Sequence, residues 1–295
     1  MQTTRRALLA AAIAAPVLPR PASAAFPERP VRVIVPFAAG GNVGTELVAR
    51  SEPNGYTLLI GSNGALTINP VIMPRVPYDP LRDFTPIGLG FRTPNVLVVS
   101  RKLPVETLAE FIAYAKARPG QVGCGSAGTG TSNHLLIELF NAATGAGLTH
   151  VPYRASGAAT PDLLSGGLAA SMDQITTALP LHRDGQVRIV GIAMPQRSPL
   201  LPDVPTLAEV GLPDGGLVAF IGLLGPAGLP SEVVGRLRDA FAAALADPGV
   251  RERVEAMGSV VAGGADVTPE GFAALLQRET ALSRQAARAA GLAPN

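Results

Sequence analysis

Residues 31–45 constrain the fold of this sequence more than any other stretch. They begin with a β-branched apolar run, which is typical of a strand buried on both faces of a parallel sheet. Pro36 ends this strand because proline has no N–H to donate, and Gly40 and Gly41 then allow a tight turn. A short helix is predicted afterwards, over residues 46–51. The turn therefore lies where a strand's carboxyl end meets a helix N-terminus, a position at which α/β proteins bind anions.

The residue types in this first turn favour binding over catalysis. Residues 31–45 contain no His, Cys, Lys or acidic residue. Backbone N–H groups can bind a carboxylate there without a charged side chain. The alternative is a structural turn that uses glycine only for its backbone freedom. The predicted ligand contacts in this turn are Phe37, Ala38, Ala39, Gly40, Gly41 and Asn42.

A second turn of the same kind follows a strand predicted over residues 122–126 and precedes a helix predicted over residues 135–144. Its small residues suit an anion at the helix start, although an ordinary strand–helix connection with a hydroxyl cap gives a similar pattern. A further strand, over residues 56–61, is followed by small polar residues. The predicted contacts from these two segments are Ser62, Ser126, Gly128, Thr129, Gly130, Thr131 and Ser132.

Strand and helix patterns alternate along most of the remaining chain, which predicts an α/β fold with mostly parallel sheets and helices on both faces. The final part is helical, over residues 231–246, 250–257 and 269–290. A length of 295 residues is sufficient for two lobes, each with its own core.

The composition argues against several classes of protein. The single cysteine, Cys124, excludes an intramolecular disulfide and a cysteine-based metal site, and the three histidines lack metal-ligand spacing. Gly128 and Gly130 resemble part of a dinucleotide-binding turn, but Asn133 stands where its third glycine would be. The absence of Trp disfavours stacking surfaces for nucleic acid. We therefore predict no metal, no cofactor, no nucleic-acid partner and no enzymatic activity.

The amino terminus predicts export. Arg5 and Arg6 precede an apolar run that ends near Leu18, and residues 22–24 form a small-residue cleavage signal. Residues 1–24 are therefore a predicted signal peptide, of the twin-arginine or the Sec type. Without it, the formal net charge falls from +2 to about −1. We expect a periplasmic protein.

Several motifs, taken together and in order, resemble the Bug family, the extracytoplasmic solute receptors of tripartite tricarboxylate transporters. The resemblance extends over essentially the whole mature chain. It rests on residues 27–46, 54–59, 76–84, 126–132, 150–153 and 197–206. It implies a two-lobe, type II periplasmic-binding-protein-like fold that closes on a small carboxylate or amino-acid solute. It also implies a monomer that meets the membrane subunits of a transporter, or a sensor kinase.

The resemblance adds three site residues and the lobe boundaries. Tyr153 and Asp173 would help to select the solute, and Phe220 occupies the place of an aromatic residue near the cleft. The alternatives are a solvated strand end for Asp173 and a core position for Phe220. Chain crossovers are expected near residues 119–122 and 217–222. The predicted domains are residues 25–120 (first lobe), 121–218 (second lobe) and 219–295 (return to the first lobe).

One departure from the family pattern lies within residues 36–46. Relatives separate the Pro-Phe-x-x-Gly-Gly motif from the Gly-Asn-x-Gly-Thr motif, whereas here the two motifs share Gly40 and Gly41. About one strand–helix unit, roughly 30 residues, is therefore missing. Its loss predicts an exposed sheet edge and one ligand loop fewer. The alternative function is a binding-impaired or sensory relative of such receptors.

Overall fold

The predicted alternation of strands and helices is present in the computed structural model, which describes residues 26–36, 42–155, 157–212 and 215–292. The strands within these ranges are β1 (Arg32–Ile34), β2 (Thr57–Ser62), β3 (Phe84–Thr93), β4 (Asn95–Ser100), β5 (Gly123–Ser126), β6 (Thr149–Pro152), β7 (Ala170–Gln174), β8 (Val187–Ile192), β9 (Ala219–Pro226) and β10 (Val260–Val261). The α-helices are α1 (Asn42–Ala49), α2 (Asn69–Ile72), α3 (Leu108–Lys116), α4 (Ser132–Thr144), α5 (Thr160–Ser165), α6 (Ile175–Arg183), α7 (Ser231–Ala246), α8 (Pro248–Ala256) and α9 (Pro269–Ala289). The α/β class is confirmed, whereas the predicted signal peptide lies outside the described residues.

The first sheet has the strand order β1-β2-β9-β3-β10 and defines the first lobe. Its core contains Leu59, Phe220 and Phe272, and the rings of the two phenylalanines meet edge-to-face with centroids 6.0 Å apart. Helices α7 and α9 pack against β3, so the C-terminal helices return to the first lobe as predicted. Among the described helices, none combines the length and apolar composition needed to cross a membrane.

The second sheet has the strand order β6-β5-β7-β4-β8 and defines the second lobe. Alternate residues of β4 face opposite sides, as a pleated strand requires. Leu97 belongs to a core that includes residues of α3 and α4, whereas Val96 belongs to a separate core with residues of α5 and α6. Helices therefore cover both faces of this sheet, as the sequence predicts.

Most strands of each sheet run in one direction, as predicted, but among the described residues the first sheet also contains the antiparallel strands β9 and β10, and the second sheet contains the single antiparallel strand β4. In the described part of the first sheet, β1 and β2 are parallel, whereas β9 is antiparallel to both β2 and β3. In the second sheet, β5 is parallel to β6 and β7, whereas β4 is antiparallel to β7 and β8. The antiparallel strands β4 and β9 are the first strands after each change of sheet, and each enters its new sheet against the direction of its neighbours.

The first crossover lies at Pro94, and the prediction near residues 119–122 is wrong. Strand β3 ends at Thr93 in the first sheet, and β4 begins at Asn95 in the second sheet. Proline lacks the N–H needed to continue a ladder, so Pro94 separates the two strands. Strand β4 and helix α3 therefore belong to the second lobe, although the predicted first-lobe range 25–120 includes them. The return at residue 219 agrees with the start of β9 at Ala219.

The edge of the first sheet carries apolar side chains that face solvent. Strand β1 is the terminal strand of this sheet among the described residues. Val33 is 46% exposed, Val35 is 52% exposed, and Val43 and Leu47 on the neighbouring α1 are also exposed. The exposed sheet edge that the fused motifs predict is therefore present.

Candidate functional site

The β5–α4 loop (residues 126–132) joins a buried strand to a helix N-terminus, as predicted. Thr131 caps α4: its Oγ1 accepts from the N–H of His134 at 3.4 Å and donates to the carbonyl of Gly128 at 2.7 Å. At the other end of the helix, Gly145 adopts a left-handed conformation with φ of 67°. The cap leaves the first amides of α4 directed out of the helix, toward the side from which an anion would approach.

Both glycines of the β5–α4 loop have backbones that disfavour larger residues. The φ angles are 121° at Gly128 and 77° at Gly130. A Cβ at Gly128 would lie 3.2 Å from the carbonyl oxygen of Tyr153, and one at Gly130 would overlap the side chain of Ile72 in α2. The loop is therefore close to the end of β6 and to the side chain of Ile72 in α2.

The loop's own hydrogen bonds determine which amides remain for a ligand. The Gly128 N–H donates to Ser126 Oγ at 3.0 Å, and the Gly130 N–H donates to His134 Nδ1 at 3.1 Å. The Thr131 N–H donates to the carbonyl of Gly128 at 3.3 Å. Among the described amides from Gly128 to Asn133, these bonds leave those of Thr129, Ser132 and Asn133 for another acceptor. The predicted carboxylate site is thereby narrowed from the whole loop to these three donors.

Two of the three histidines, which lack metal-ligand spacing in the sequence, lie directly against this loop. The rings of His134 and His150 stack with centroids 3.7 Å apart, and His150 Nε2 lies 2.6 Å from Ser126 Oγ. Burial and, secondarily, the neighbouring His150 lower the pKa of His134 to about 4. Burial also lowers the pKa of His150. Both rings are therefore neutral near pH 7.

The predicted first turn is described only in part. Phe37, Ala38, Ala39, Gly40 and Gly41 lie outside the described residues, so their role stays a prediction. Asn42 begins α1, and its Oδ1 accepts from Asn69 Nδ2 and from the Tyr78 hydroxyl, both at 2.8 Å. Burial raises the pKa of that hydroxyl, so it stays protonated and able to donate. The Asn42 side chain thus fixes the start of α1 to the segment that follows β2.

Three asparagines connect the strands and the helix at the crossovers. Asn95 donates to the carbonyl of Leu217 at 2.9 Å and accepts from Asn133 Nδ2 at 3.0 Å. Asn63, next to the predicted contact Ser62 at the end of β2, lies 3.4 Å from the carbonyl of Val218. The three side chains are buried. Their hydrogen bonds connect the start of α4 to both crossovers. No sequence pattern predicted these contacts.

The three predicted contacts outside the two turns, Tyr153, Asp173 and Phe220, differ in their burial and in their hydrogen bonds. The Tyr153 hydroxyl donates to Asp162 Oδ2 at 2.6 Å, and partial burial together with this carboxylate raises its pKa to about 12. Asp173 is 4% exposed and its Oδ1 accepts from the N–H of Gln174, so it is not a solvated strand end. Phe220 is 2% exposed within the core of the first lobe. We therefore remove Phe220 from the proposed site, because its side chain is packed against Phe272.

The chain is similar in sequence and structure to several known proteins, among them the periplasmic binding protein BugD. The chain is 34% identical to "Protein BugT" of Bordetella pertussis (strain Tohama I), with 84% of this chain and 85% of the relative covered. A structure of an R. palustris protein with adipate matches with a TM-score of 0.77, 30% identity and coverage of 92% of this chain and 100% of that chain. MatC from Rhodopseudomonas palustris with bound malate matches with a TM-score of 0.73, 30% identity and coverage of 88% and 99%.

The alignment with BugT contains gaps in this chain whose total length is close to the predicted loss. It is 281 residues long, yet it covers 84% of this chain, which corresponds to about 248 residues. About 33 aligned positions therefore have no counterpart in this chain. This number agrees with the roughly 30 residues that the fused motifs predict to be missing.

The family itself is established by a match over most of the chain. The family model described as "Tripartite tricarboxylate transporter family receptor" matches residues 29–282. The two-sheet α/β architecture and the similarity to solved periplasmic binding proteins agree with this match. The chain belongs to the receptor family of the tripartite tricarboxylate transporters.

Proposed function

We propose that this protein is a periplasmic receptor that binds a small solute carrying a carboxylate between its two lobes. The observation that carries the proposal is the set of three amides, from Thr129, Ser132 and Asn133, at the start of α4. They stand beside the crossovers, because Asn133 is hydrogen-bonded to Asn95, which in turn is hydrogen-bonded to Leu217. An oxyanion accepting two or three backbone N–H groups at a helix N-terminus is a stable arrangement that needs no cationic side chain.

The chemistry of the loop and the relatives together suggest the ligand class. Residues 126–132 contain no charged side chain, so affinity would rest on amides and hydroxyls. Adipate and malate, which occupy the two similar structures, both carry two carboxylates. We infer that one carboxylate lies against the β5–α4 loop and the other against residues 38–42 of the first lobe. Tyr153 and Asp173 stay candidates for selecting the part of the solute between them.

The family suggests the partners. We propose that the loaded receptor, a monomer, meets membrane subunits of a tripartite tricarboxylate transporter after export by a cleaved signal peptide. The sensory or binding-impaired alternative gains no support from the similar proteins and structures described above.

A thermal-shift screen of protein recovered from the periplasm tests the proposal. The ligands are small mono-, di- and tricarboxylates, with amino acids as a second set and neutral polyols of equal size as controls. A carboxylate present at about 100 times its dissociation constant stabilises the folded state by about 2.7 kcal/mol. Stabilisation by carboxylates but not polyols supports a working receptor. A folded protein that no carboxylate stabilises would instead favour the binding-impaired alternative.

A further inference from the structure

Two imidazole rings contact the β5–α4 loop, and each is connected by hydrogen bonds to a different glycine of the loop. His134, on α4, accepts the Gly130 N–H directly at Nδ1, at 3.1 Å. His150, on β6, lies 2.6 Å from Ser126 Oγ, and this oxygen accepts the Gly128 N–H at 3.0 Å. The two rings are stacked with an interplanar angle of 21°. The N–H of each glycine is therefore connected by hydrogen bonds to one ring, and the two rings hold each other in place by stacking.

The contact with Gly130 assigns the tautomer of His134. An atom that accepts an N–H carries no proton of its own, so Nδ1 is unprotonated. The proton of the neutral ring is then on Nε2, which faces Glu138 Oε1 at 3.8 Å. A second proton could enter only at Nδ1, where it would point at the Gly130 N–H. Protonation thus replaces a hydrogen bond with two opposed donors, and the Gly130 backbone must move.

The surroundings of the rings favour the neutral state. His134 is 6% exposed and Ser126 is 3% exposed. The ionisable groups near the pair are Glu138, one turn along α4, and Cys124, whose position on β5 pairs in register with His150. Burial raises the pKa of Cys124 to about 12, so this thiol stays uncharged, and burial also raises the pKa of Glu138.

We propose that His134 is a positioning residue for the ligand: its neutral ring, held by the stack with His150, fixes Gly130 so that the flanking amides of Thr129 and Ser132 converge on a carboxylate. Protonation of His134 releases Gly130, so affinity for the solute falls in acid more steeply than the titration of the solute alone requires. The effect on affinity rests on the proposed function, because it requires a carboxylate ligand. The structural half of the inference, that neutral His134 fixes Gly130, can be tested without a ligand.

Amide hydrogen exchange in the ligand-free protein tests the structural half. His134→Phe keeps an aromatic ring but removes the acceptor, whereas His134→Asn places Oδ1 where Nδ1 stood. His182 is the matched control, because its Nδ1 also accepts a backbone N–H, from Ile189 at 3.2 Å, far from the loop in sequence. The Gly130 amide should exchange at least about tenfold faster in His134→Phe, but not in His134→Asn or His182→Phe. Unchanged protection of Gly130 in His134→Phe overturns the inference.

A comparison of wild type with His134→Asn tests the pH dependence even where the Phe variant fails to fold. Because Asn does not titrate, its Gly130 amide should stay protected through pH 4, whereas the wild-type amide, relative to other loop amides, loses protection there. Equal profiles in the two proteins overturn the inference.

Calorimetric titration with malate and with adipate, between pH 4 and pH 7, tests the functional half. The ratio of wild-type to His134→Asn affinity cancels the titration of the ligand, and it should fall about twofold by pH 4, where about half of the His134 rings are protonated. A constant ratio contradicts the proposed coupling to the ligand. If the wild type binds neither probe, the proposed function fails for these ligands, and the exchange data decide the positioning role alone.

Discussion

Replacing Ser132 by proline removes a single proposed ligand donor with little other change to the backbone. Ser132 is the first residue of α4, directly after the cap Thr131. Proline is tolerated at this helical position because its amide makes no intrahelical bond. Thr131 has φ of −83° and ψ of 164°, the extended conformation that a following proline requires. In this chain, α8 and α9 already begin with Pro248 and Pro269.

The magnitude follows from the loss of one hydrogen bond to a charged group. Such a bond is worth about 1.5–3 kcal/mol, which corresponds to a dissociation constant raised about 10- to 100-fold. The assay is calorimetric titration with the best carboxylate from the thermal-shift screen. The melting temperature should stay within a few degrees of wild type, because the substitution leaves the cap at Thr131 intact.

Two controls separate the amide from other effects. Ser132→Ala removes the hydroxyl but keeps the N–H, so the difference between the two variants isolates the amide. Ser231→Pro makes the same substitution at the first residue of α7, away from the proposed site, and should leave affinity unchanged. An unchanged affinity in a folded Ser132→Pro protein would refute the assignment of this amide as a donor to the ligand.

Three further predictions concern the crossovers, the loop and the core. Asn95→Ala leaves a buried carbonyl and a buried amide unpaired, so urea unfolding should show a free energy of unfolding lower by about 2–4 kcal/mol. The same variant should bind the ligand more weakly. Asn141→Ala, the control, also removes two hydrogen bonds, and it should lower stability but not affinity. Gly130→Ala should lower the melting temperature more than Gly145→Ala, because both have positive φ but only Gly130 has no room for a Cβ. Burial raises the pKa of Cys124 to about 12, so a thiol reagent at pH 8 should label it only after unfolding; rapid labelling of native protein would contradict this placement.

The fold could be predicted where local chemistry decides it. The glycine-rich turn after residue 126 and the helix that follows it are predicted by glycine and hydroxyl patterns that act within a few residues, although α4 starts at Ser132 and not at the predicted residue 135. The first crossover could not be predicted in the same way. The turn after α3 has the Pro-Gly signature of a boundary but only ends a helix, whereas Pro94 lies within a nearly continuous pair of strands. Residues 64–72 are helical although Pro70 interrupts them, because proline is tolerated in the first turn of α2.

The sequence predicted the place of the β5–α4 loop between a strand and a helix, but not the contacts that support this loop. His134 and His150 belong to different elements, and the parallel pairing of β5 with β6 brings them together. No spacing rule along the chain reveals such a contact. Phe220 shows the opposite case: an aromatic residue near the return crossover suggested a pocket, yet its side chain completes the core of the first lobe. The side-chain direction, not the position, decides its role.

The most direct test of the carboxylate site is an amide chemical-shift titration of the isotopically labelled protein with its best carboxylate ligand. The account predicts that the amide protons of Thr129, Ser132 and Asn133 shift downfield with one common dissociation constant, because each gains a charged acceptor. Amides at the far end of α4, near Thr144, should shift little. Saturable binding that leaves these three amides unchanged and shifts amides elsewhere would contradict the account.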